Sequence, residues 1–317
     1  MKNFTKAALI VTLILVILGS IFCAVGLGIG FSFSDFWDEV EEGEFSIGPF
    51  KHIPFISRHY DRGDDGKTIW ESKDSESFAF SRKEIRDLEM DLDYGGITIE
   101  RSGKDEETIY VFVEYRKKNH KRQVEAYVSG KTLYLEEKGA SWTRDDDSVK
   151  ITMQIPEKAL EEPWLNSINI EQGAGVIDIN MPLTAKEISI NVDAGMCSVN
   201  KKLTASEELS AQVGAGQILL SEVVAGSLEL SAGLGQLTAE RIEADTVEIE
   251  CGVGQIEVTA AGKESDYSYD VDCAVGSVRV GGNEFSGVGS GREIENDGSR
   301  EMDINCDVGE VHVTFTE

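Results

Sequence analysis

The chain has 317 residues, of which 58 are Asp or Glu and 30 are Lys or Arg, and its formal net charge at pH 7 is −28. Nucleic acids and bare anionic membrane surfaces are bound through clustered Lys and Arg, so this balance argues against both as partners. The length allows one large domain or two modest ones.

The N-terminus carries an uncharged stretch, residues 7–34, that follows Lys2 and Lys6. It exceeds the roughly 20 apolar residues that span a bilayer. A cleaved signal peptide is the alternative, with Ala24-Val25-Gly26 as its cleavage site. Because the apolar residues continue beyond that site, we predict an uncleaved helix within residues 1–34. It would hold the protein in the cell membrane as a single-pass anchor.

Charges on the two sides of this stretch predict its orientation. Lysines precede it and five acidic residues lie between Asp35 and Glu42, so the N-terminus is expected in the cytoplasm and the C-terminal domain outside the cell. Residues 35–77 show no sustained hydrophobic period and are predicted to form an acidic tether. Residues 78–165 contain alternating strands, which we interpret as irregular early coils that begin and cap a larger repeat structure.

Residues 166–317 repeat one short phrase that is centred on a glycine. Apolar residues lie seven, five, three and one positions before this glycine, and two and four positions after it. The alternation is typical of strands, and its phase slips by one residue at the glycine, which can adopt the conformation that such a corner needs. One earlier copy lies in the irregular region, and the full set of glycines is Gly95, Gly175, Gly195, Gly216, Gly235, Gly254, Gly276 and Gly309.

A unit of about 20 residues cannot close a core alone, so its apolar face must stack on the next unit. The fold class predicted is therefore all-β, a single-stranded β-solenoid of about eight coils, whose equivalent positions stack about 4.8 Å apart. An up-and-down barrel would not explain the identical internal order of the copies. The step of 33 residues from Gly276 to Gly309 predicts a loop at 281–300. We also predict that the sheet ends openly at the last coil, where it could pair with a second copy of the protein.

Two sets of side chains stand out within the repeats. Cys251, Cys273 and Cys306 share one inward position, either as buried thiols or as a disulfide-forming pair among them. Aliphatic neighbours argue against zinc at these cysteines. Gln217, Gln236 and Gln255 follow three successive corner glycines and could form an amide stack.

The outward side of the later repeats is acidic. It is a candidate site for divalent cations or a basic partner, and the alternative is simple solvation with protection against edge pairing. The four histidines do not lie near a plausible nucleophile in the sequence, so we predict no catalytic residue, no cofactor and no enzyme. The acidic positions are Glu229, Glu248, Glu250, Asp270, Asp272 and Asp303.

With the repeats in place, the chain resembles the bacterial putative-adhesin family of solenoid domains of unknown function. The resemblance rests on residues 149–156 (VKITMQIP), on Ile168-Asn-Ile170 and on residues 173–179 (GAGVIDI), and it covers roughly residues 78–317. It implies a β-solenoid, a location in the cell envelope and no known catalysis, and it transfers no functional residues.

Three functions follow as hypotheses. The first is a non-enzymatic, membrane-anchored solenoid outside the cytoplasm, which acts as an adhesin or as a scaffold for an envelope protein or glycan. The second is an envelope-stress sensor or regulatory partner of a membrane protein. The third is a carbohydrate-active solenoid enzyme, which would need convergent carboxylates in a cleft.

Overall fold

The computed structural model describes residues 75–103, 107–115, 123–138, 149–156, 164–286 and 290–316. The predicted membrane helix and all but the last three residues of the predicted tether lie outside these ranges. Within the described ranges there is no helix of sufficient length and apolar character to cross a bilayer. The described residues belong to one unit, Ser72–Glu317.

The described part of the chain is all-β, with two single 3-10 turns at Arg82–Glu84 and Glu264–Asp266. Hydrogen bonds join its strands into one sheet. In chain order the strands are β1 (Ser75–Ser81), β2 (Asp87–Ser102), β3 (Thr108–Tyr115), β4 (Gln123–Ser129), β5 (Thr132–Lys138), β6 (Val149–Pro156), β7 (Ser167–Ile179), β8 (Leu183–Ala232), β9 (Gln236–Cys251), β10 (Gln255–Ala261), β11 (Tyr267–Cys273), β12 (Ser277–Val280), β13 (Asn283–Ser286), β14 (Ser290–Ile294), β15 (Arg300–Cys306) and β16 (Glu310–Thr316).

Successive coils pair in parallel, and the repeat glycines form one column through the solenoid. Gly95 lies opposite Gly175, which lies opposite Gly195 on its other side. The column continues in register because equivalent residues, such as Gln217 and Gln236, also face each other. Its order in space is Gly95, Gly175, Gly195, Gly216, Gly235, Gly254, Gly309 and Gly276.

Close approach of neighbouring backbones explains why this column is made of glycine. A Cβ atom placed on Gly235 would lie 2.5 Å from the carbonyl oxygen of Gly216, and one on Gly175 would overlap the carbonyl oxygen of Gly95. Gly175 also has a backbone φ of +154°, an angle that residues with a side chain rarely adopt. The corner therefore requires a residue without a side chain.

The N-terminal end of the solenoid is closed by β1 and by the strands β3 to β6, which follow β2 in sequence. The two halves of β2 pair in parallel with β5 and β6, and on their other side with β7. Antiparallel strands then cover this outer layer, with β4 on β5, β3 on β6 and β1 on β3. The predicted irregular coils thus include an end cap as well as a stacked layer.

At the other end the coils do not stack in sequence order, which differs from our expectation. The final coil, β15 and β16, lies between the coil of β9 and β10 and the coil of β11 and β12. The segment predicted as a loop, 281–300, contains β13 and β14, which pair antiparallel with β12 and β11. The open edge predicted at the final coil is therefore paired on both sides along Glu310–Val313. The step of 33 residues from Gly276 to Gly309 is long enough for the chain to pass outward and return.

Within the described residues, two buried side chains, Ser102 and Gln172, have an oxygen without a hydrogen-bond partner, and Gln172 is the more deeply buried of the two. Gln172 faces inward between Leu92 and Val192 and is 2% exposed. Its Nε2 donates to the carbonyl oxygens of Leu92 and Ala174, both at 3.2 Å, whereas its Oε1 has no hydrogen-bond donor. A buried acceptor without a donor costs free energy because it has lost its water.

We expect Gln172→Met to raise the free energy of unfolding by about 1 kcal/mol, because Met keeps the length of the side chain and removes the orphan oxygen. Urea denaturation of the full-length protein measures this change. Gln212→Met is the matched control, since Gln212 donates to Glu229 at 2.9 Å and should gain nothing on substitution. Lower stability of Gln172→Met would show that the buried amide is a net stabiliser.

Candidate interaction surface

The structure brings the predicted acidic residues together in two columns on the outward face of the solenoid. One column runs Glu229, Glu248, Asp303 and Asp270, each in register with the next, and Glu293 of β14 extends it. In the neighbouring column Asn305 separates Glu250 from Asp272. These two columns are called the acidic columns below.

Backbone register holds the carboxylates of the acidic columns in line, and no ion pair among the described residues involves them. At one end, Glu229 accepts hydrogen bonds from Gln212 Nε2 at 2.9 Å and from Ser210 Oγ at 3.3 Å. Burial, and then the charges of Glu250, Glu229 and Asp303, raise the pKa of the Glu248 carboxyl. Burial, and then the charges of Asp270 and Asp272, raise the pKa of the Asp303 carboxyl. Directly opposed like charges on neighbouring strands are destabilising.

Within the described residues, no group of three or more Asp, Glu, His or Cys side chains is arranged to hold a metal ion. The acidic columns therefore present a row of separate carboxylates along the solenoid. A row of this kind suits a partner with several cationic groups better than a single ion.

Stability is expected to rise as the pH falls from 7 towards 4.5. The raised pKa of Glu248 and Asp303 means that the folded state binds more protons than the unfolded state in this range, so protonation favours folding. Thermal unfolding across this range measures the effect, which Glu248→Gln should reduce. Glu187→Gln, an equal charge change at an exposed position outside the columns, is the control. Equal pH profiles for the two variants would contradict the prediction.

The three predicted inward cysteines occupy neighbouring coils in the order Cys251, Cys306 and Cys273. All are buried free thiols. The Cys251 thiol contacts the carbonyl oxygen of Glu310 at 3.8 Å. Burial and then the neighbouring thiols raise the pKa of Cys306 to about 12. Thiols in this state are poor nucleophiles and act as small apolar core residues.

The predicted glutamine stack is partly present at the glycine corner. Gln236 Nε2 donates to Gln255 Oε1 at 2.9 Å, and Gln255 Nε2 donates to Glu257 Oε1 at 3.1 Å. Gln217 lies in register with Gln236. The amide chain therefore joins two of the three coils and then turns along the strand.

A shallow groove of about 280 Å³ lies on the outward side of the strands that follow the corner. His312 lies in register with Glu257 there, and Thr259 and Thr314 share a hydrogen bond of 3.0 Å between their hydroxyls. The side chains that line it also include Glu240 and Thr238. The groove thus has an imidazole and carboxylates but no cysteine or serine among its lining residues.

One surface feature was missed in the sequence because the residue before each glycine was predicted to face inward. The structure turns it outward: Leu234 is 71% exposed and Val275 is 61% exposed. The alternation of inward and outward side chains ends before the glycine: the third residue before it is the last that faces inward. Small residues at this position in other coils, Ala174, Ala194 and Ala215, were the available signal.

These elements define a parallel β-solenoid whose outward side chains form straight columns. The model of the Toastrack family, DUF4097, matches residues 85–317, and the chain belongs to this family. This match confirms the predicted family.

Comparison with solved structures gives several similar proteins. One is a putative adhesin from Bacteroides fragilis, with 18% identity, a TM-score of 0.42, and 76% of this chain and 98% of that chain covered. A putative adhesin from Parabacteroides distasonis has 18% identity and a TM-score of 0.47, with 75% and 96% covered. A putative lipid binding protein from Parabacteroides distasonis has 15% identity and a TM-score of 0.38, with 76% and 97% covered. No curated protein matches the chain.

Proposed function

We propose that this protein is a non-enzymatic scaffold of the cell envelope. Its N-terminal helix anchors it in the cell membrane, and its solenoid lies outside the cytoplasm, where it binds an envelope protein or a glycan. The observation that supports this proposal is the set of straight outward columns, in which carboxylates and apolar side chains recur coil after coil. Such periodic surfaces suit extended partners, as in other repeat proteins.

Photo-crosslinking in whole cells tests the scaffold. A photoreactive residue at Glu250, in the acidic columns, should capture a partner, whereas one at Lys202 is the matched position outside the columns. Adducts with a glycan or with a protein of another cell indicate adhesion, and a kinase or transporter of the same membrane indicates the sensor alternative. Absence of any adduct at the columns, or turnover of uronate polymers or peptidoglycan fragments by the protein, would overturn the proposal.

The orientation has its own test. Protease added to intact cells should cleave the solenoid, because the C-terminal domain is proposed to lie outside the cell. Protection of the solenoid in intact cells, with cleavage after lysis, would reverse the proposed topology and remove the envelope partner from consideration.

A further inference from the structure

Four large apolar side chains are exposed one above another at the glycine corner. Leu234, Val253, Val308 and Val275 are 71%, 46%, 41% and 61% exposed, respectively. Val253 N donates to Gly233 O, Val308 N to Gly252 O and Val275 N to Asp307 O, each at 2.8 Å, so the four belong to consecutive coils. At about 4.8 Å per coil they span roughly 14 Å. They are called the apolar ladder below.

The apolar ladder is unusual because its members form one contiguous row. Single exposed apolar residues are normal on a protein surface, whereas contiguous patches mark interaction sites. Gly233 and Gly252, two positions before the corner glycines, carry no side chain that could cover the row. The corner glycines lie on its other side. Leu234 and Val253 are therefore flanked on both sides by glycines, and their side chains project without cover from neighbours in the sequence.

Charge around the apolar ladder indicates the chemistry of its partner. Asp307 is exposed beside Val308, and Glu250 and Asp272 of the acidic columns lie on the same side of the corner. None of these three carboxylates forms an ion pair with a residue in the described ranges. A second copy of this chain would bring carboxylates against carboxylates, so a cationic partner fits this surface better.

Spacing along the apolar ladder indicates the shape of that partner. An α-helix that lies along the solenoid axis presents one turn every 5.4 Å, which is close to the 4.8 Å rise per coil. A strand laid in the same direction would present side chains on one face about every 6.8 Å and would lose register within two coils. Four rungs of the ladder therefore match about three turns of helix.

We propose that the apolar ladder binds a cationic amphipathic helix of a partner protein. The helix places its apolar stripe against Leu234, Val253, Val308 and Val275, and its Lys or Arg side chains reach Glu250, Asp272 and Asp307. This proposal rests on the proposed scaffold function and names the partner class for one of its surfaces.

The test uses a synthetic helix of about four turns with one Leu stripe flanked by Lys, together with a copy in which Glu replaces every Lys. Each is titrated into full-length protein in uncharged detergent micelles, and hydrogen exchange locates the protected amides. We expect the Lys peptide to protect residues 233–235, 252–254, 307–309 and 274–276 and the Glu peptide to protect none. A peptide that binds only to the micelles would leave the amides at the glycine corner unprotected, so the measurement distinguishes the two kinds of binding.

Substitutions separate the apolar ladder from general charge attraction. The variant Leu234→Ser, Val253→Ser, Val308→Ser should weaken binding at least tenfold, whereas Leu219→Ser, at another outward apolar position, should leave it unchanged. Asp307→Asn should weaken binding severalfold and reduce its dependence on salt. Equal binding by the triple variant, or by the Glu peptide, would overturn the proposal.

Two further results would also overturn it. Failure of the Lys peptide to protect the corner would show that the ladder does not bind cationic helices. A dimer of the wild-type protein that is lost in the triple variant would assign the ladder to a second copy. The scaffold proposal fails separately, since it depends on partners captured at the acidic columns in cells.

Discussion

Removal of residues 300–317 from the full-length protein is expected to unfold the C-terminal end of the solenoid and leave the central coils folded. These residues form the coil that lies between two others, with β15 between β9 and β11 and β16 between β10 and β12. Their inward side chains include Ile304, Val311 and Val313, all fully buried. Burial of each contributes about 1.5–3 kcal/mol, which is a large part of the stability of a typical domain.

Hydrogen exchange measures this outcome segment by segment. In the truncated protein the amides of β11–β14 should exchange as in an unfolded chain, whereas β7 and the first half of β8 should keep their protection. The exposed edges of β9 and β10 should also promote association, which light scattering detects. Addition of a peptide with residues 300–317 should restore protection and the monomer, and the reversed sequence should not. Persistent protection of β11–β14 without the peptide would contradict the prediction.

The sequence predicts the strand faces correctly and the order of the last coils wrongly, and this difference has a physical origin. Alternation determines which side chains face the core, so the strand faces and the parallel stack followed from the sequence. It does not determine which coil lies beside which. Tyr269, Val271 and Cys273 have the same pattern as Met302, Ile304 and Cys306, and either set fits next to β9. The 33-residue step was the only sign of a different path, and it is equally compatible with a simple loop.

Of the two candidate surfaces, one could be predicted from the sequence and the other could not. The acidic columns could be predicted, because any residue six or four positions before the glycine faces outward on a strand. The apolar ladder could not, because Leu234 and Val253 continue the apolar alternation up to the corner. Only the path of the backbone at the corner reverses their direction, and it does so in the structure alone. Sequence alternation is therefore a reliable guide along strands and fails at the turns between them.

Substitution of Gly175 by Ala is expected to destabilise the solenoid by about 3 kcal/mol or more, the range of severe core disruptions. The new Cβ would overlap the carbonyl oxygen of Gly95, and the backbone at φ of +154° suits glycine alone. Because the solenoid is a one-dimensional stack, the damaged coil should also divide its unfolding into two transitions. Denaturation followed by circular dichroism measures both effects.

Two further glycines distinguish the causes. Gly235 has the close approach, with a Cβ position 2.5 Å from the Gly216 carbonyl oxygen, without the positive φ of Gly175. If backbone contact between coils is the dominant constraint, Gly235→Ala should cost a comparable amount to Gly175→Ala. Gly103→Ala, where a Cβ would meet no atom within 4 Å, should change the free energy of unfolding little. A tolerated Gly235→Ala would mean that backbone conformation rather than contact determines the glycine column.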